Sequence, residues 1–468
     1  MKTKIVATIG PACNTPQKLS QLVTAGARIF RLNFSHGTAA DFSKTIKIIR
    51  ELEIKHGIPI TVMQDLSGPK IRIGAIEEGA LSFVKGDLAF LGPERPDRCD
   101  AKYIPFDKAE LLNSMETGDR VVLADGTLQF LVASKVSGGF IMEADNSGIV
   151  TSRKGLALPG KHLKLPALTD KDKKDLLDGL DLGVDAVALS FVQTPDDVLE
   201  ARAIIGEAGC SIPICVKLER KNAVDRLEEI LAVTDIIMVA RGDLGIECPM
   251  PTLPTMQKRI IAACNKANKP VIVATQMLLS MVNNPIPTRA ETTDVANAVL
   301  DGTDCVMLSE ETAMGSFPVE AVSFMSAIAA EAETLLSERS HLSQYHMPDT
   351  APDFLSYSAC LLAERQDATA IVAHSMSGAA ARSLSSQRPR QPVYGLTPDP
   401  KVLRYLNFSW GVKPRSTDDS LSGHLERAES FIDSCPDIKK GDLCVITAGQ
   451  FRADQGSSGT NLVKVYTK

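Results

Sequence analysis

Residues 59–74 read PITVMQDLSGPKIRIG. The first five are apolar or β-branched and make a short buried strand. Gly68-Pro69 then ends it as a turn, and Asp65, Lys70 and Arg72 fall around that turn. A surface turn accounts for Gly-Pro. It does not account for an acid and two bases crowded at the mouth of a buried strand. Two facts around this stretch decide the fold. The strand is one of a series, and the chain takes more than a hundred residues to return to that series.

Runs of the same kind are KIVATIG (4–10), ARIFRLNF (27–34), PITVMQD (59–65), AVALSFV (186–192), PICVKLE (213–219), DIIMVARGD (235–243), PVIVATQ (270–276) and CVMLSEE (305–311). Segments of helical period separate most of them. In TDKDKKDLLDGLDLG, Thr169 suits an N-cap and Asp172 the first turn. Continuous apolar strands alternating with helices imply a parallel sheet covered by helices. Eight units favour a (β/α)8 TIM barrel over a doubly wound open sheet. The barrel is expected over 1–67 and 167–338. The long interval, 68–166, holds short alternating strands with Gly turns, such as GDRVVLADGTLQFLVASKVSGGFIMEADNSG. It reads as a small all-β domain inserted in a βα loop. Such loops open on the catalytic face, so the insert is placed to act as a lid. After a polar, Pro-containing connector, 345–468 reads as a C-terminal open α/β domain, with strands at TAIVAH, QPVYGL, GVKPR, DLCVITAG and LVKVYTK.

Composition narrows the function classes. A net charge of -6 over 468 residues argues against a nucleic-acid binder, while leaving room for local basic sites that hold small anions. Ten cysteines without a CxxC pair, and no secretory signal, read as reduced thiols in a cytoplasmic protein. No apolar run approaches the ~20 residues that span a bilayer. GxxxxGK[ST] and GxGxxG are both absent, so neither a P-loop nor a dinucleotide fingerprint is present.

In a barrel, polar residues just past the C-terminal ends of strands are the catalytic candidates. Here they are Arg31, Asn33, Ser35 and His36; Asp65, Lys70 and Arg72; Lys217 and Glu219; Arg241, Gly242 and Asp243; Thr275; and Ser309, Glu310 and Glu311. Taken singly, Asp243 reads as a helix cap and Glu219 as a surface partner of Arg220. Taken together, on neighbouring strands, their carboxylates can converge on Mg2+, which keeps part of its hydration shell. Lys217 lies two residues before Glu219, on the same side of the strand. With Arg31 and Arg72 it would surround such a metal with fixed positive charge. That is the equipment for phosphoryl transfer.

At this point the residues resemble a known family. TKIVATIGPA, RLNFSHG, GPKIR, VARGDLGIE, PVIVATQML, PTRAETTDVANAVLDGTD and MLSEETAMG are similar to the signature segments of pyruvate kinase, from residue 3 to the C-terminus. The resemblance implies transfer of the phosphoryl group of phosphoenolpyruvate to ADP, giving pyruvate and ATP. It implies Mg2+, with Mn2+ as a substitute, on Glu219 and Asp243. Lys217 would stabilise the enolate, and Arg31 and Arg72 would neutralise phosphate. Thr275 would lie on the face where the enolate is protonated, and backbone N–H groups around Arg241, Gly242 and Asp243 would bind the substrate carboxylate. Asn33, His36 and Lys154 would face the nucleotide, with Asp125 as the lid acid and Arg72 shared between both ligands. A homotetramer is implied as well.

The chain departs from the family pattern at Met314, where many members have Lys, and at Ala157, where many have Asn. A further departure bears on cofactors. Asn33, Ser35 and Asp65 resemble the oxygen cluster that holds K+ in many members. Those members usually carry Thr at position 66 and Glu at position 70, where this chain has Leu66 and Lys70. The ammonium of Lys70 is expected to replace the ion, so that K+ is not required. In the C-terminal domain, SMSGAAARSLSSQRPR resembles the family's effector loop. Ser375, Ser377, Gly378 and Ala379 would offer backbone N–H groups to a sugar phosphate or nucleotide, with Arg452 as a second phosphate partner. Two other readings differ in class. A Mg2+-dependent aldolase or lyase barrel would not need the lid or Arg72. A non-catalytic sugar-phosphate sensor would be expected to lose Lys217, Glu219 or Asp243, and all three are present.

Overall fold

The computed structural model describes residues 1–468 apart from 97–99, 162–165, 339–349, 418–422 and 450–459, and apart from the side chains of 125, 337 and 338. Eight parallel strands close a barrel: β1 (Lys4–Thr8), β2 (Ala27–Asn33), β3 (Thr61–Asp65), β4 (Ala186–Leu189), β5 (Ile214–Leu218), β6 (Ile236–Ala240), β7 (Val271–Ala274) and β8 (Cys305–Leu308). Each pairs with its neighbours in chain order, and β1 closes the ring on β8. The open-sheet alternative is thereby excluded. The runs at 235–243 and 305–311 are shorter as strands than expected. Arg241–Glu247 and Glu310–Ala313 are already helical, each with acids in the first turn, where the helix dipole favours them.

Strand alternation builds the site. Ile29, Met63 and Cys215 point into the barrel and pack in its interior. Two residues further along the same strands come Arg31, Asp65 and Lys217, which therefore face the same axis at the C-terminal mouth. The loops that follow are fixed by helix caps. Thr169 and Asp172 form a capping box on helix Asp170–Asp181, as their spacing predicts.

The insert forms a six-stranded sheet, in the order Leu156–Ala157, Arg120–Leu123, Leu128–Val136, Gly139–Ala144, Leu88–Gly92 and Lys102–Pro105. A two-stranded pair, Ala80–Phe83 with Gly148–Thr151, completes it. A short helix, Ala109–Ser114, departs from the all-β expectation. The insert has an apolar core of its own, including Phe83, Phe130 and Phe140.

The C-terminal segment carries β9 (Ala370–His374), β10 (Val393–Leu396), β11 (Val412–Arg415), β12 (Leu443–Ala448) and β13 (Leu462–Thr467), ordered β11-β10-β9-β12-β13 with β13 antiparallel. It seats on the N-terminal end of the barrel. Phe408 is fully buried within the barrel's interior cluster and closes the floor. Around it, Arg388 Nη1 donates to Asp304 Oδ1 at 2.8 Å, Arg404 Nη2 to Glu53 Oε2 at 2.6 Å, and Asn407 Nδ2 to the Pro59 carbonyl at 2.8 Å. The nine cysteines among the described residues are all free. Among those residues, no helix is long and apolar enough to cross a membrane.

Candidate active site

A buried chain of charges crosses the C-terminal mouth of the barrel. Arg31 Nε donates to Asp65 Oδ2 at 2.5 Å, and its Nη1 reaches the Thr8 hydroxyl at 3.2 Å. Lys217 Nζ stands 3.2 Å from Asp65 Oδ1, 2.9 Å from Glu219 Oε1 and 2.7 Å from the Ser190 hydroxyl. Ser190 passes its own proton to the Leu66 carbonyl at 2.7 Å. Glu219 Oε2 accepts the Phe191 N–H at 2.7 Å. Asp65 and Glu219 are each 1 % exposed, so these contacts act at low dielectric.

Burial alone would push Asp65 up, but the Arg31 and Lys217 charges outweigh it and hold the carboxyl below its ordinary range. Burial opposes the Lys217 ammonium, yet Asp65 and Glu219 outweigh that and raise it above an ordinary lysine. Lys217 is therefore a fixed cation across the neutral range, unsuited to shuttling protons. Glu219 differs. Burial pushes its carboxyl up, Lys217 pulls it down, and Asp243 pushes it up again. Asp243 lines the same cleft as Glu219. A divalent cation between the two carboxylates would relieve that repulsion. Among the described residues no group of three or more His, Cys, Asp or Glu converges. The donor set is thus two carboxylates, which fits an ion that keeps several waters.

The mouth is also strained. Phe191, Thr275 and Gln276 have φ of +56°, +69° and +54°. Left-handed backbone in a β-branched residue is an outlier, costing on the order of 1–3 kcal/mol. At Phe191 that bend accompanies the amide hydrogen bond to Glu219.

Matches to known proteins decide what kind of site this is. The family model described as "Pyruvate kinase, barrel domain" matches residues 1–322, and "Pyruvate kinase, alpha/beta domain" matches 353–466. The chain belongs to the pyruvate kinase family. Pyruvate kinase 2 of Synechocystis sp. is 43% identical over 99% of this chain and 79% of its own length. A pyruvate kinase of Agrobacterium vitis is 42% identical, over 99% and 96%. That of Clostridium acetobutylicum is 38% identical over 99% of both. As a pyruvate kinase the chain is a phosphotransferase.

Several pyruvate kinase signature residues have structural tasks here. In PTRAE, Thr288 and Glu291 form a capping box, and Glu291 also accepts the Ser280 N–H at 2.7 Å. The Arg241 guanidinium donates to Asp294 Oδ1 at 2.8 Å and to the Thr275 carbonyl at 2.8 Å. The Gly242 N–H, expected to serve a carboxylate, donates to the Thr275 hydroxyl at 2.8 Å.

Asn33 and Asp65, two members of the oxygen cluster expected for K+, have protein partners here. The Asn33 side chain accepts the Ser35 N–H at 3.1 Å, while the Asp65 carboxylate is taken by the two cations. Leu66 is buried and offers only backbone oxygen. Lys70 is exposed and lines the cleft beside Glu219 and Asp243. Arg72 is not brought to that cleft. It is exposed and donates to the Arg153 carbonyl at 3.1 Å, within the insert. His36 and Lys154 are exposed as well. The turn Ala124–Gly126 faces the helix Arg241–Glu247 across the cleft, but the Asp125 side chain lies outside the described residues.

At the other end, Gly378 has φ +71° and caps helix Ala379–Ser386. Ser377 Oγ accepts the Ala379 N–H at 3.4 Å, and Ser375 N–H pairs with Leu396. Arg452 lies outside the described residues. Just before this turn, His374 Nδ1 meets His424 Nδ1 at 2.6 Å. Arg427 Nη1 approaches the other His374 nitrogen at 3.4 Å, so that nitrogen accepts and Nδ1 donates. Burial, with His424 and Arg427, pushes His374 down to about 4.

Sequence reasoning missed Ser190, Thr8, Asp294 and the Phe191 N–H. Ser190 had a signal: it is the polar residue two places after Ala188 in an apolar run, hence on the inward face. Thr8 had the same signal, two places after the inward Val6, and the other two had none.

Proposed function

We propose that the chain transfers the phosphoryl group of phosphoenolpyruvate to ADP. The observation that carries this reading is the buried Arg31–Asp65–Lys217–Glu219 array beside Asp243. Mg2+ or Mn2+, held by Glu219 and Asp243 with waters, would supply Lewis-acid neutralisation of phosphoryl oxygens. The bond from phosphorus to the enol oxygen breaks, and a β-phosphate oxygen of ADP takes the phosphoryl group. Lys217 and Arg31 hold positive charge where negative charge spreads in the transition state. The enolate left behind takes a proton on the face of Thr275. The substrate carboxylate docks at the backbone of residues 241–243, beside the Gly242 N–H that the Thr275 hydroxyl accepts. Movement of the insert would bring Arg72, Lys154 and Asp125 toward the nucleotide, with Asn33 and His36 on the same side, and exclude water.

Lys70 lines the metal side of the cleft, and its ammonium replaces a monovalent cation there. A coupled assay in K+-free buffer tests both statements. Turnover of phosphoenolpyruvate and ADP should require Mg2+ and rise less than about twofold when K+ is added. Absence of turnover with both Mg2+ and K+ present would refute the reaction. Activity near zero until K+ is added would refute only the role of Lys70.

The turn at 375–379 is proposed to hold a phosphorylated sugar or nucleotide that activates the enzyme, a cytoplasmic homotetramer. Ser377→Asp places a negative charge at the anion's position, so activation should fall at least about tenfold in effector concentration. Unchanged activation curves across a panel of sugar phosphates would count against this site.

A further inference from the structure

Thr275 and Gln276 are consecutive non-glycine residues in left-handed backbone, and something must hold them there. The contacts come from one place. Arg241 Nη2 donates to the Thr275 carbonyl at 2.8 Å and Nε to the Ala274 carbonyl at 3.3 Å. The adjacent Gly242 N–H donates to the Thr275 hydroxyl at 2.8 Å, and that hydroxyl gives its proton to the Ala274 carbonyl at 2.6 Å. Arg241 is anchored from the far side by Asp294, with Nη1 2.8 Å from Oδ1 and 2.7 Å from Oδ2. This carboxylate comes from helix Arg289–Leu300, outside the charge array.

We propose that Arg241 and Asp294 are positioning residues for protonation of the enolate. They fix the Thr275 hydroxyl at the barrel mouth in register with Asp243, two residues beyond Arg241. The proposal rests on the reaction assigned above and on Thr275 facing the enolate. With its proton committed to Ala274 and one lone pair to Gly242, the Thr275 oxygen retains a lone pair that can hold a water. In the reverse sense, a methyl C–H bond of pyruvate breaks, its proton passes to that water, and a solvent deuteron returns to the same carbon.

The test separates this step from phosphoryl transfer. Full-length wild type, Asp294→Asn, Thr275→Ala and the double variant are compared for exchange of pyruvate methyl protons with D2O, with Mg2+ and ATP present. Steady-state turnover is measured in parallel. Asp294→Asn should slow exchange by about tenfold or more, while KM for phosphoenolpyruvate moves less than about threefold. Asp294→Glu should restore part of the exchange. In the double variant, Asp294→Asn should add no further loss to that of Thr275→Ala, because it acts through Thr275. Exchange in Asp294→Asn equal to wild type, or losses that multiply in the double variant, would overturn the proposal. Wild type that neither exchanges pyruvate protons nor turns over phosphoenolpyruvate would overturn the assigned reaction instead.

Discussion

Replacing Lys217 by methionine should lower kcat by about 10³-fold or more, with little change in KM for phosphoenolpyruvate. Methionine is of similar length and carries no charge, so the change removes the cation with little loss of packing. Lys217 is pinned by three partners, Asp65, Glu219 and Ser190, within 3.2 Å. It cannot be replaced by a neighbouring side chain swinging in, because Arg31 is held by Asp65 and Thr8. An interaction that strengthens only as the enolate forms lowers kcat and kcat/KM together. Loss of the ammonium also leaves Glu219 facing Asp243 without its counter-charge and frees it for a divalent ion, so half-saturating Mg2+ should fall. Steady-state kinetics over a Mg2+ series measures both. A variant as fast as wild type would remove Lys217 from the chemistry.

The second large effect is predicted at Asp65. Asp65→Asn keeps the shape and removes the anion shared by Arg31 and Lys217. Stripping one partner from a buried ionic network costs roughly 3–5 kcal/mol, and the cleft side of this one is partly open to water, so a loss of about 3 kcal/mol is expected. The two cations then repel each other, and kcat should fall by about 10²-fold. The sign with pH follows from the lowered folded-state pKa of Asp65. Its contribution is fully present above the unfolded carboxyl value, about 3.9, and is lost as pH falls below that. Denaturant unfolding at neutral pH should therefore separate wild type from Asp65→Asn, and the gap should narrow as pH is lowered below about 4. Equal stability of the two at neutral pH would contradict the role of Asp65 as shared counter-ion.

Much of this was legible in the chain because barrels write themselves plainly. Eight apolar runs at helical intervals give the ring, and period-two alternation from Ile29, Met63 and Cys215 gives Arg31, Asp65 and Lys217 on one face. What alternation cannot give is partnership across the ring. Asp65 was read as an oxygen donor for an ion, and its pairing with Arg31 and Lys217 was not foreseen. That pairing depends on where β2 and β5 stand relative to β3, which no local pattern records. The pairing of the Arg241 guanidinium with Asp294 was not foreseen, because Asp294 lies 53 residues away on a helix. Arg72 and Lys154 ride on the insert, and their distance from the barrel is set by its position, which is not a property of nearby residues. His374 and His424 lie 50 residues apart and meet only in the folded sheet.

Phe408 has a consequence beyond sealing the barrel. An eight-stranded ring is usually a self-contained chassis, but here its floor is supplied from the far end of the polypeptide. Excising the last hundred-odd residues would uncork the interior, leave the Thr61 hydroxyl without its partners, and leave the Asp304 carboxylate with the Val271 N–H alone in place of Arg388. The same short segment runs back to the loop at 375–378. A Cβ added to Gly378 would stand 3.0 Å from Leu406, two residues from the cork. One tightly packed turn thus joins that loop to the floor of the barrel.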